Sequence, residues 1–246
     1  VSAYVGLPDS QSLVLVESAS TAVNSIMRSF GWQAGDILLM FSLAYPMVKH
    51  TAEWLVKQYN VRVVQVPIRL SDWDSSNHDR LFMGPMKEAL RDLSASGQLE
   101  RLKMVVLDHM VSVPAIKEPI HELATVVKEL QPSCFVLVDG AHTMGQMRQL
   151  NLSALSTDID AYLSNGHKWL FSPKGSAFLW VKPSWVTNTF PEPTVISSGN
   201  RIITSGTTNT SLSERYAYVS SREYTAWLSM SAAIDFRESV LGGQEA

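Results

Sequence analysis

The sequence predicts an α/β fold, a three-layer sandwich in which a mostly parallel sheet lies between helices. Three observations lead there. Seven short apolar runs recur along the 246 residues, segments of helical period separate many of them, and the runs are apolar on both faces. Strands buried on both faces are a mark of parallel sheets covered by crossover helices.

Taken in order, the first strand is expected over residues 12–16, followed by a helix over 21–30 whose start is rich in Ser and Thr. A strand at 37–41 leads into a helix at 48–59, and a strand at 61–66 into a helix that the periodicity places at 86–93. Residues 103–107 read as a strand, 120–130 as a helix, and 135–138, 161–163 and 177–181 as further strands. The stretch 197–213, SSGNRIITSGTTNTSLS, breaks the composition with Ser, Thr, Gly and Asn and reads as a loop. After it, 224–240 has helix-like spacing, with Leu228, Ala232 and Phe236 on one side.

Bulk properties narrow the function. Apolar residues make up 46% of the chain and charged ones 17%, which is enough material for a large core. Net charge is −3 with no basic run, so phosphate-backbone binding to nucleic acid is not expected. No apolar stretch approaches the ~20 residues that span a bilayer. The single cysteine, Cys134, rules out a disulfide framework or a thiolate metal site and reads as a small core residue, and no metal site is expected. The dinucleotide, nucleotide-triphosphate, nucleophile-elbow and zinc-helix motifs are all missing.

The informative residues lie between Asp139 and Lys168. Phe135-Val-Leu-Val138 runs into Asp139, and Ala161-Tyr-Leu163 runs into the turn at Asn165-Gly166 that delivers Lys168. In α/β sheets the working groups gather at the carboxyl ends of strands, which both Asp108 and Asp139 occupy. A carboxylate and an amine at one sheet edge suit pyridoxal phosphate (PLP): the amine condenses with the cofactor aldehyde, and the carboxylate keeps the pyridine nitrogen protonated. Lys168 lies between His167 and Trp169, neighbours that would desolvate an amine and make it nucleophilic. The segment from Glu17 to Asn24 leads from a strand into a helix, so Ser20 and Thr21 could offer hydroxyls to an anion at a helix N-terminus. A plain N-cap is the competing reading there. Tyr45 opens the next helix, where its ring could stack on a ligand or pack in the core.

The ordered set resembles the class V aminotransferase family of fold-type I PLP enzymes, and most closely its isopenicillin N epimerase-like branch, which includes cysteine desulfhydrases and related C–S lyases. The resemblance covers nearly all of the chain. It rests on Val138-Asp-Gly-Ala-His142, Asn165-Gly-His-Lys-Trp-Leu170, Pro173 to Trp180, the run from Glu17 to Asn24, Leu107-Asp-His109, and the stretch from Tyr218 to Leu228. It implies that Lys168 forms the Schiff base with the cofactor and moves the substrate α-proton. Asp139 matches the partner of the pyridine nitrogen and His142 the group near the ring hydroxyl. Tyr45 matches the stacking ring, and His109 a side chain that bonds near the substrate or ring oxygen. Ala19, Ser20, Asn165 and His167 fall at phosphate-binding positions, with Thr21 adjacent. Ser221 and Arg222 match a segment that reaches the phosphate of the neighbouring subunit, so a homodimer is implied.

Two departures stand out. The family's Gly-Thr-Arg-Asp-like segment reads Ser220-Ser-Arg-Glu223, without the glycine, and a longer Ser/Thr-rich loop replaces a short aromatic-containing stretch near the substrate. Residues 1–246 are expected to be the PLP-binding large domain of a longer protein, with an N-terminal segment and a C-terminal small domain outside them. The expected activity is amino-acid chemistry of C–S lyase or cysteine desulfhydrase type; epimerisation and transamination are the alternatives, and a non-catalytic relative the alternative of another class. A cytoplasmic protein is expected.

Overall fold

The computed structural model describes residues 1–73, 80–147, 149–187, 189–197 and 211–243. Its elements run β1 (Leu13–Val16), α1 (Ala19–Ser29), β2 (Ile37–Phe41), α2 (Pro46–Tyr59), β3 (Arg62–Val66), α3 (Arg80–Ala95) and β4 (Leu102–Asp108). They continue with α4 (Ile120–Leu130), β5 (Phe135–Asp139), α5 (Leu152–Leu155), β6 (Ala161–Asn165), β7 (Ala177–Val181), α6 (Leu212–Ala217) and α7 (Thr225–Val240). All seven expected strands are present, and the chain divides into two compact units.

One unit comprises residues 31–139 and 158–160. Its four strands are all parallel, in the order β5-β4-β2-β3. β2 and β5 are buried along their whole length, as expected of strands covered on both faces. Pro46 stands at the start of α2, where its missing N–H costs nothing, and Asn60 ends that helix in the left-handed conformation at φ 56°. The helix expected at 86–93 begins six residues earlier, because α3 carries Pro85 in its interior. A proline there removes one helical hydrogen bond, so periodicity alone starts the helix after it. Parallel register sets Asp108, the last residue of β4, beside Asp139, the last of β5. At the flank of β5 the Asp160 carboxylate accepts from Lys128 Nζ at 2.6 Å and from the Val136 N–H at 2.9 Å.

The other unit comprises residues 1–30, 140–157 and 161–246. Here β1, β7 and β6 form an antiparallel ribbon, with Leu13 opposite Trp180 and Ala161 opposite Val181. α1 packs on β6 and β7, burying Ala22, Val23, Ile26 and Met27. Ser18 caps it by accepting from the Thr21 N–H at 3.1 Å, so the plain N-cap falls two residues before Ser20. β6 and β7 follow closely on one another and need no crossover helix, which is why alternation of strands and helices underweights them. Of the expected loop at 197–213, residues 198–210 lie outside the described residues, while Ser211 caps α6 in a reciprocal capping box with Glu214. That box was readable as Ser-x-x-Glu, though Ser/Thr richness masks it.

Candidate active site

The turn after β5 carries His142, and a ladder of hydroxyls holds it in place. Tyr162 donates to Thr143 Oγ1 at 2.8 Å, Thr143 donates to the Gly140 carbonyl at 2.7 Å, and the Met144 N–H donates to Ser164 Oγ at 3.1 Å. Two residues beyond Thr143, Gly145 sits at φ 89°, and a Cβ there would lie 2.3 Å from the Trp169 carbonyl oxygen. Only glycine permits that conformation and that approach, so the His142 turn and the Lys168 turn pack backbone to backbone.

The close packing brings three side chains together. Lys168 Nζ lies 3.0 Å from His142 Nε2, and the Trp169 indole N–H donates to His142 Nδ1 at 3.3 Å. Burial and the Lys168 charge lower the His142 pKa, so the ring is neutral at pH 7. His167 turns the other way, with Nδ1 2.9 Å from the Ser176 carbonyl; burial outweighs that bond and lowers its pKa too. Phe171, three residues past the lysine, is 58% exposed and held at φ 63°, a conformation that bulky residues rarely take and that marks a turn under constraint.

At the start of α1, Asn165 Oδ1 accepts from the Ala19 N–H at 2.8 Å. The end of β6 is thereby fastened to the N-terminus of an 11-residue helix, with Ser20 and Thr21 in its first turn. Ala19, Ser20, Thr21 and Asn165 lie together at the positive end of a helix dipole.

The strand ends of the parallel unit carry a different set. Asp108, Glu118 and Asp139 are all buried, and the Asp108 N–H donates to Glu118 Oε2 at 3.1 Å. Glu118 is fully enclosed, and its Oε1 has no hydrogen-bond partner among the described residues. Burial first, and then the neighbouring acids, raise the pKa of both Asp108 and Glu118 well above the carboxylate range; nearby Lys49 opposes this for Asp108. His109 is also buried: its main-chain N–H donates to the Asp139 carbonyl at 2.9 Å. Burial and Lys117 push its imidazole down to about 3, so it is neutral throughout the physiological range. Tyr45, 46% exposed at the head of α2, is outside the core and keeps its ring available. Cys134 is a core residue as expected, with burial pushing its thiol up to about 12.

Ser221 and Arg222 follow α6. Arg222 forms an ion pair with Glu17, donates from Nε to the Val219 carbonyl at 3.0 Å, and places its guanidinium 5.9 Å from the Trp227 ring centre. Ser221 is exposed, with Tyr218 Oη 3.4 Å from its hydroxyl. Sequence reading missed Glu118, which looks like part of an exposed Lys-Glu-Pro turn. It also missed the donor role of Trp169, whose only signal was its place beside the lysine.

The class V aminotransferase family profile matches residues 1–244, and the chain belongs to that family of PLP-dependent enzymes. Among curated relatives, a putative L-cysteine desulfhydrase 2 of Oryza sativa subsp. japonica is 29% identical over 254 residues, covering 100% of this chain and 49% of its own length. The L-cysteine desulfhydrase of Arabidopsis thaliana is 26% identical, with 100% and 51% coverage. This chain thus spans about half the length of the curated relatives it matches. Among solved structures, the cystine C–S lyase C-DES in complex with cysteine persulfide superposes with a TM-score of 0.79 at 18% identity, covering 99% of this chain and 60% of that one. A cysteine desulfurase from Thermococcus onnurineus NA1 gives a TM-score of 0.75, again at 18% identity, with 97% and 55% coverage. These likenesses show the fold-type I architecture of the PLP enzymes, the α/β class expected from the sequence. Among the described residues no helix is long and apolar enough to cross a membrane.

Proposed function

We propose that this chain is the cofactor-binding part of a PLP enzyme that cleaves a C–S bond of an amino acid, in the manner of a cysteine desulfhydrase. The observation that carries the reading is the Lys168 amine held 3.0 Å from the neutral His142 ring on the turn after β6, in a chain of the class V family. The names of the desulfhydrase relatives favour sulfur chemistry over epimerisation or transamination.

The residues fit the cofactor. Asp139 is a buried carboxylate beside two acids whose pKa values burial and neighbouring charge raise, a setting that suits a cation such as a pyridinium N–H. The first turn of α1, with Ser20 and Thr21, suits a phosphate, with Asn165 and His167 from the end of β6 and the turn after it. Bound PLP supplies an aldehyde and an electron-withdrawing ring.

This chain's own residues would then divide the work. Lys168 would hold the cofactor through its amine and, once that amine is free, would take the substrate α-proton. Asp139 would keep a proton on the pyridine nitrogen. His142 would orient the lysine, Tyr45 would offer its ring to the cofactor, and neutral His109 would contribute a hydrogen bond near the substrate. Ser221 and Arg222 belong to the implied homodimer contact, where Arg222 would exchange Glu17 for a phosphate. The deciding experiment incubates the full-length protein with PLP and cysteine and follows sulfide and pyruvate together. Release of both in equal amounts supports elimination; a racemised or transaminated product with no sulfide would replace this reading.

A further inference from the structure

The hydrogen bonds around His142 settle more than its position. An indole N–H can only donate, so His142 Nδ1, 3.3 Å from Trp169 Nε1, is the ring nitrogen that carries a lone pair. A neutral imidazole has one N–H, which must then be on Nε2. That nitrogen faces Lys168 Nζ at 3.0 Å. That N–H is met by a lone pair only when Lys168 is the neutral amine, so the arrangement disfavours the ammonium form, whose charge, after burial, lowers the His142 pKa.

We propose that Trp169 is a positioning residue for Lys168: its indole N–H fixes His142 as the Nε2–H tautomer, and that N–H in turn orients the lone pair of the lysine amine. The relay uses three side chains on two turns whose backbones are locked together at Gly145. Trp169 is 41% exposed, so the indole is spent on this bond rather than on filling the core. The lowered pKa of His142 agrees with the relay, because an imidazolium would have no acceptor for the indole. An amine oriented by its lone pair is the nucleophilic form, so the relay prepares Lys168 for the aldehyde carbon. In this respect the inference rests on the PLP reading above.

The test uses the full-length protein without cofactor, labelled with 15N-histidine, the His142 signals being assigned with His142→Gln. At pH 7 the relay requires a protonated Nε2 and a hydrogen-bonded, pyridine-type Nδ1. In Trp169→Phe, which keeps a flat ring but loses the donor, the Nδ1 signal moves toward that of an unbonded nitrogen. Stopped-flow mixing with PLP itself is the second measurement. Trp169→Phe should capture the cofactor roughly tenfold more slowly, the loss of about one hydrogen bond, with its pH profile displaced from wild type. Trp169→Ala should show the same displacement, because packing is not the cause. An Nδ1–H or doubly protonated His142 in the wild type overturns the proposal, as does an unchanged pH profile in both variants. If the wild type captures no PLP, the functional reading fails, while the histidine spectrum still decides the tautomer.

Discussion

The Lys168 turn and the acidic strand ends hold their protons by opposite means. Around Lys168 the groups His142 and His167 are partly exposed, and hydrogen bonding, from the Trp169 indole to His142 and with the Ser176 carbonyl at His167, bears on which ring nitrogen carries the hydrogen. At Asp108 and Glu118 hardly any surface is accessible, and loss of water decides instead, with neighbouring charge second. The same unit shows what a satisfied acid looks like: Asp160, as buried as Glu118, has an ammonium and a backbone N–H on one oxygen. The contrast lies in what meets the buried carboxylate: Asp160 has an ammonium on it, whereas Glu118 faces burial and neighbouring acids.

The strongest way to break this contrast is to remove the amine. Lys168→Ala should lose the borohydride-trappable visible band and reduce turnover by about a thousandfold or more, since a covalent anchor has no substitute nearby. Its urea midpoint should stay near wild type, because the side chain is partly exposed and its partner His142 is neutral. A variant that keeps the trapped band would place the cofactor on another lysine and end the comparison.

A sharper instrument is pH. The folded-state pKa of Glu118 is raised, so folding is penalised as pH climbs past the ordinary glutamate value of about 4.3, and the penalty grows toward the folded pKa. Glu118→Gln keeps the shape and cannot ionise. It should match wild type in urea near pH 4 and exceed it at pH 8, the gap widening steadily between. A gap of constant size, or a less stable variant at pH 8, would show that Glu118 works as an anion and that desolvation is not what governs the strand ends.

How much of this could be read beforehand follows the same division. The strands announced themselves through apolar runs, and Asp139 and Lys168 stood at the ends of two of them. Contacts distant in sequence did not. Arg222 meeting Glu17, Asn165 holding the Ala19 amide and Glu118 folding under Asp108 depend on tertiary closure that no local pattern encodes. Gly145 was silent for the same reason, since its need comes from the carbonyl of Trp169. Short α6 was hidden by its company: a capping box inside a Ser/Thr tract looks like the tract. Pro85 hid the first turns of α3 by obeying a rule that tertiary packing overrode.

One departure legible in the sequence has a physical counterpart in the backbone, where neither hydrogen bonding nor desolvation is at issue. The segment before Arg222 lacks the glycine of the family pattern, and Ser220 in its place adopts φ 83°. Left-handed geometry costs a residue with a Cβ roughly 1–2 kcal/mol. Ser220 is exposed, and its carbonyl accepts from Tyr224 Oη at 2.9 Å, a bond that any residue would keep. Ser220→Gly therefore relieves the strain, partly offset by the greater freedom of glycine in the unfolded chain. The expected net gain is about 0.5–1 kcal/mol, read as a small rise in urea midpoint with the slope unchanged. The gain should be the same at pH 4 and pH 8, unlike that of Glu118→Gln. A pH-dependent gain would mean that the Ser220 turn acts through the Arg222–Glu17 pair, whose charges its geometry aligns, and not through its own backbone.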